Sequence, residues 1–117
     1  MNIRTINDVA IIHSDEIIIK DTQSAVDFIM SIKYETNCNK IAINKDAIID
    51  NFFILSSGIA GEILEKFITY KTKFAIYGDY SKYTSKPLKD FIYESNNGKD
   101  ISFVATEDEA VKMLGKE

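Results

Sequence analysis

Between Lys40 and Tyr77 the chain reads KIAINKDAIIDNFFILSSGIAGEILEKFITYKTKFAIY, and this stretch decides the fold. Lys40 to Asn44 alternates in polarity and is bounded by polar residues, which predicts a short strand. Lys45 to Leu55 carries Ile48, Ile49, Phe52, Phe53 and Ile54 without a sustained period. It reads as a loop with one helical turn, in which Phe52 and Phe53 lid the core. From Ser57 to Tyr70 the apolar residues Ile59, Ala60, Ile63, Leu64, Phe67 and Ile68 recur every three to four positions, with Glu62, Glu65, Lys66 and Thr69 opposite. That is an amphipathic helix. Phe74 to Tyr77 is then a short buried strand, closed by Gly78-Asp79. Strand, helix, strand is the order of a parallel pair, which needs a long crossover where an antiparallel pair needs only a tight turn.

Working outward toward the N-terminus, β-branched bursts at Ile3–Ile6, Val9–Ile12 and Ile17–Ile19 are separated by Asn7-Asp8 and Ser14-Asp15-Glu16, predicting two or three antiparallel strands. Thr22 to about Tyr34 places Ala25, Phe28, Ile29 and Ile32 on one helical face, with Asp21 as N-cap, and Thr36 to Asn39 ends that helix. Toward the C-terminus, Tyr80 to Thr84 is a polar-aromatic loop. Ser85 caps a third helix from Lys86 to about Asn96, with Pro87 in its first turn and Gly98 expected as the left-handed residue that stops it. Ile101 to Ala105 is the last strand, and Thr106 to Glu109 forms a capping box for a fourth helix ending near Leu114. The fold class is α/β: a mixed sheet of about five strands with four helices, antiparallel strands first and parallel strands later, in a single domain over residues 1–117.

Composition bounds the function. The 117 residues are 45% hydrophobic and 27% charged, enough for a core without staples, and the single thiol, Cys38, closes no internal disulfide. With no signal-peptide pattern at its start, the chain is expected in a reducing cytoplasm. No apolar run approaches the roughly 20 residues of a membrane span. The net charge of −4 opposes a broad nucleic-acid footprint, which needs clustered Lys and Arg. His13 is the sole imidazole, so neither a zinc site nor a Ser-His-Asp set is expected, and no cofactor is called for. Asp46, Asp50, Glu62 and Asp79 are read as solvent-facing rather than as cation ligands.

The first candidate site is Leu55-Ser56-Ser57-Gly58-Ile59-Ala60-Gly61, where a loop hands over to a helix. A serine there accepts from first-turn N–H groups, and a phosphate added to it faces the positive end of the helix dipole. These residues carry a resemblance. A strand, a hydrophobic loop, then Ser56-Ser57-Gly58 followed by an apolar residue resembles the core of the anti-sigma-factor antagonist (STAS) domains, small bacterial α/β switch proteins. Their pattern has Asp-Ser-Ser-Gly; here Leu55 stands where the family has Asp, and the loop before it is longer. Phe74 to Asp79 and Ile101 to Leu114 also resemble STAS-like domains of unknown function. The resemblance implies a STAS-like fold over most of the chain and a non-catalytic regulatory module. It further implies a phospho-acceptor at Ser57 and a protein partner such as an anti-sigma factor or a kinase-like regulator.

The second candidate is the loop Gly78 to Lys86, where Asp79, Tyr80, Lys82, Ser85 and Lys86 gather outside the carboxyl ends of the strands, a usual place for ligands in open α/β sheets. It lacks the glycine spacing of nucleotide-binding loops. The alternative function is therefore a small anionic or apolar ligand held near residues 78–86. A third reading pairs an edge strand between two copies to make a homodimer.

Overall fold

A computed structural model describes residues 1–115 of the chain. Strands β1 (Asn2–Ile6) and β2 (Val9–His13) form an antiparallel hairpin, with Ile6 opposite Val9. Asn7 and Asp8 fill the two-residue loop, both left-handed at φ 51° and 67°. Two positive φ values in a row define the type I′ turn, whose twist suits a hairpin and whose preferred residues are Asn, Asp and Gly.

Helix α1 (Thr22–Thr36) leads to β3 (Lys40–Asn44), α2 (Ile59–Thr69) to β4 (Lys73–Tyr77), and α3 (Lys86–Asn96) to β5 (Ile101–Val104). Helix α4 spans Glu107–Gly115. The sheet order is strictly sequential, β1-β2-β3-β4-β5, with every pair after the hairpin parallel. The expected mixed sheet of five strands and four helices is the one observed.

The period of two in the strands divides the core. Ala10, Ile12, Ile41, Ile43, Phe74, Ile76, Ile101 and Phe103 face α1, α2 and α3. Phe67 of α2 lies flat on Phe74, centroids 3.8 Å apart. Val9, Ile11, Ala42, Ala75 and Tyr77 face α4, meeting Ala110 and Leu114. Ala42 and Ala75 stand opposite one another in register, so the small side chains under α4 let that short helix sit close to the sheet.

Local signals explain the helix ends. Asp21 accepts from the Ser24 N–H (2.8 Å) while the Ser24 hydroxyl accepts from the Asp21 N–H (3.0 Å), a reciprocal cap on α1. Ser85 accepts from the Leu88 N–H (3.3 Å) at the start of α3, and Thr106 accepts from the Glu109 N–H (3.2 Å) ahead of α4.

Four expectations are corrected. Ile17–Ile19 is no third N-terminal strand: Ile19 makes one isolated bridge to Ile48, because the backbone there bonds Ala47 and Ile49 in the long loop. The loop from Lys45 holds three short 3-10 turns, Lys45–Ala47, Asp50–Phe53 and Leu55–Ser57, rather than one helical turn. Helix α2 starts at Ile59, capped by left-handed Gly58 (φ 79°), not at Ser57. Gly98 is not the left-handed stop of α3. Asn97 keeps right-handed geometry (φ −86°), its N–H bonded back to Tyr93 and Glu94, and only Gly58 and Gly78 have positive φ among the described glycines.

Candidate functional site

The carboxyl ends of β2, β3 and β4 are tied together by buried side chains. Asn44 accepts from the Ser14 N–H (2.9 Å) and donates to the Ser14 carbonyl (2.8 Å), so the end of β3 pairs with the chain leaving β2. The Tyr77 hydroxyl reaches under this pair to donate to the Ile12 carbonyl (2.8 Å). Lys45 follows, 9% exposed, its ammonium 3.2 Å from the Asp46 carboxylate and 5.1 Å from the centroid of Tyr83. The enclosed ammonium is met by a carboxylate and by ring faces in place of most of its water. Gly78 packs against it with φ 153°, and a Cβ there would lie 2.8 Å from the Lys45 Cβ. His13, Asp46, Asp79 and Lys82 wall a cavity of about 380 Å³ above Lys45. Asp79 accepts from the Ser81 N–H (2.8 Å), and that bond holds its carboxyl below the usual range.

The two candidate loops meet. Tyr83 stacks on Phe53 at 4.8 Å and 20° and donates its hydroxyl to Asp50 (2.5 Å), while the Lys82 ammonium lies 3.2 Å from the same carboxylate oxygen. The bond from Tyr83, and then that from Lys82, lower the Asp50 pKa. Burial, then Asp50, raise that of the Tyr83 phenol. Tyr80 turns inward, donating to the Ile76 carbonyl (2.6 Å) with its ring edge-on to Phe103, and burial raises its pKa. The segments 50–57 and 78–86 thus form one surface, hinged on an aromatic stack and latched by Asp50.

Beside the latch, Ile54, Leu55 and Ser56 face Lys82, Thr84 and Ser85 across a cleft of about 350 Å³ floored by Phe53. Ser56 lines this cleft, and Ser56, Ser57 and Gly58 are all exposed directly ahead of α2. The structure therefore brings Ser56, Lys82 and Ser85 to one cleft. Asp79 lies in the neighbouring cavity, Tyr80 belongs to the packing beneath the loop, and Lys86 is taken up by Asp90 one turn along α3 (2.7 Å). Lys45 was the residue the sequence pattern did not single out. Its one signal is its position immediately after the strand Lys40–Asn44, at the carboxyl end, where a parallel sheet presents its loop residues. Among the described residues no group of three His, Cys, Asp or Glu side chains is placed to hold a metal ion, and no helix is long and apolar enough to cross a membrane.

Tyr77 offers a test of this packing. Burial, with the Glu107 carboxylate adding to it, pushes its phenol up to about 12. Above pH 10 the unfolded chain releases that proton and the folded chain keeps it, so stability falls as the pH rises from 10 toward 12 and is unaffected by Tyr77 below 10. Urea unfolding across that window should show a loss on the order of 2 kcal/mol attributable to Tyr77. Tyr77→Phe should be less stable at pH 8, having lost the bond to Ile12, but should show a shallower alkaline slope. Parallel slopes in the two proteins would place the phenol in water.

The sheet of one hairpin and three parallel additions, three helices on one face and one on the other, defines the STAS-like α/β class. A structure from Thermotoga maritima described as a candidate anti-sigma factor antagonist has the same fold, with a TM-score of 0.53 at 17% identity over 98% of this chain and 94% of that one. The profile of the domain of unknown function DUF4180 matches residues 4–114, and the chain belongs to that family. No curated protein matches it.

Proposed function

We propose that residues 1–117 act as a single non-catalytic module of bacterial cytoplasmic regulation, docking a protein partner through the exposed knuckle Ser56-Ser57-Gly58 and switched by phosphorylation there. The carrying observation is the display of two exposed serines ahead of α2, with Ser56 lining a cleft beside Ile54, which is 50% exposed. An apolar side chain in water beside two hydroxyls gives a partner both burial and a chemically addressable charge change. The likeness to a candidate anti-sigma factor antagonist supports a partner of the anti-sigma-factor or kinase-like class. The cavity over Lys45 supports the small-anion alternative less well, because Asp46 and Asp79 share it with Lys45 and Lys82 and repel an anion.

The test is calorimetric titration with an anti-sigma factor from the same genome. Ser56→Asp and Ser57→Asp, each first shown to be folded by its thermal transition, should bind at least about tenfold more weakly, a cost of about 1.4 kcal/mol for a charge set into the interface. Equal affinities for both variants and the unaltered chain would remove the knuckle from the interface.

A further inference from the structure

We propose that the cavity over Lys45 holds a free amino acid, its carboxylate inward on the Lys45 ammonium and its own ammonium outward on Asp79. The site stands apart from the serine knuckle. It lies at the carboxyl ends of β2, β3 and β4, where open α/β sheets gather their ligands, and its volume of about 380 Å³ suits a small metabolite. Its lining is layered. Asn44, Lys45 and Tyr77 are buried at the floor, while Asp46, Asp79 and Lys82 are exposed at the rim. On the floor, Asn44 uses both ends of its amide on Ser14, and Tyr77 gives its hydroxyl proton to the Ile12 carbonyl. Lys45 alone has donors left over. Its ammonium carries three N–H groups, and the partners it meets are the Asp46 carboxylate (3.2 Å) and the faces of Phe53 and Tyr83, centroids 5.9 and 5.1 Å away. A second carboxylate is the group that best completes this shell, because hydrogen bonds between charged partners are about twice as strong as those between neutral ones.

The rim selects the other end of the ligand. Lys45 and Lys82 are matched in the cavity wall by Asp46 and Asp79, so these charges cancel and a simple anion gains no net attraction. Lys82 is committed elsewhere, to Asp50 (3.2 Å) and to the face of Tyr83 (5.1 Å). Asp79 is not. Its Oδ1 accepts from the Ser81 N–H, and no hydrogen bond reaches its other oxygen among the described residues. Bonds from Ser81 lower the Asp79 pKa and the Lys45 charge adds to this, so the carboxylate is anionic at neutral pH and within electrostatic reach of the floor ammonium. A molecule with one carboxylate and one ammonium answers both groups at once. A plain anion is repelled by Asp79, and a plain cation by Lys45.

The experiment titrates the full chain with the protein amino acids, and with β-alanine and γ-aminobutyrate, which hold the two charges further apart. Binding is followed by amide NMR. At least one of these compounds should move the signals of Asp46, Gly78 and Ser81 at millimolar concentration. The best binder is then compared with its desamino acid and its decarboxylated amine, each of which should bind at least about tenfold more weakly, as expected for loss of one charged contact. Asp79→Asn keeps an acceptor for the Ser81 N–H. It should weaken the amino acid about tenfold while holding the desamino acid no less tightly than the unaltered chain does. Lys45→Met, first shown to be folded by its thermal transition, should weaken the amino acid and the desamino acid alike; if it does not fold, Asp79→Asn decides alone. The proposal is overturned if no compound moves those signals, or if Asp79→Asn binds the amino acid unchanged. A desamino acid that binds as tightly as its parent also overturns it, and marks a plain anion site.

Discussion

Gly78→Ala is expected to destabilise the protein by roughly 2–5 kcal/mol, the sum of a backbone conformation that side chains rarely adopt and a contact that has no room. The new Cβ would sit 2.8 Å from the Lys45 Cβ, an atom fixed to the backbone and unable to swing aside. Relief requires β3 and β4 to part at their carboxyl ends, where Asn44 and Tyr77 hold them to β2. Urea unfolding should show the drop with an unchanged dependence on denaturant. Lys45→Gly removes the opposing atom, so the double variant should lose less than the two single losses combined, the mark of two residues in direct contact. A loss under about 0.5 kcal/mol in Gly78→Ala, the range of ordinary surface changes, would mean that the junction between β4 and its loop yields freely.

Phe53→Ala should cost about 3–5 kcal/mol, as buried aromatic truncations do. Its ring, 2% exposed, is shared by both candidate loops: it stacks on Tyr83, meets Phe52 edge-on at 5.0 Å and lies 6.0 Å from Tyr80, with Lys45 over its face. Without it the Tyr83 ring loses its platform and the Asp50 latch loses its alignment. The Tyr83 phenol should then titrate nearer its ordinary value, a change visible in tyrosine absorbance that a purely local cavity would not produce. Phe53→Leu, which keeps most of the volume, should cost much less. If the two variants prove equally stable, the loops are not joined through this ring.

Where a segment's structure follows from its own neighbours, the sequence was readable. Lys40–Asn44 is a strand with the predicted bounds because a short apolar run between polar residues has few other uses. The caps at Asp21, Ser85 and Thr106 stand where their side chains can reach the next turn's N–H groups. What escaped reading depends on distant partners. Ile17–Ile19 has the composition of a strand, yet its N–H groups are claimed by Ala47, nearly thirty residues on. The burial of Lys45 depends on rings at positions 53 and 83, and no local pattern announces a lysine that lies beneath a loop yet to come. The candidate site was legible as two separate loops. Their union into one cleft follows from the adjacency of β3 and β4, whose carboxyl ends launch both.

The strictly sequential sheet has a kinetic consequence. Each strand pairs only with those just before and after it in the chain, so every pairing closes the shortest loop its connection permits. The hairpin, with its two-residue turn, is the fastest unit of the sheet to form and leaves the ribosome ahead of the three strands that add to it. Each later strand then has a finished template waiting beside it. The two loops that make the cleft become neighbours only once β4 docks, so the recognition surface is among the later features to assemble, and a stalled or truncated chain lacking β4 would present half of it.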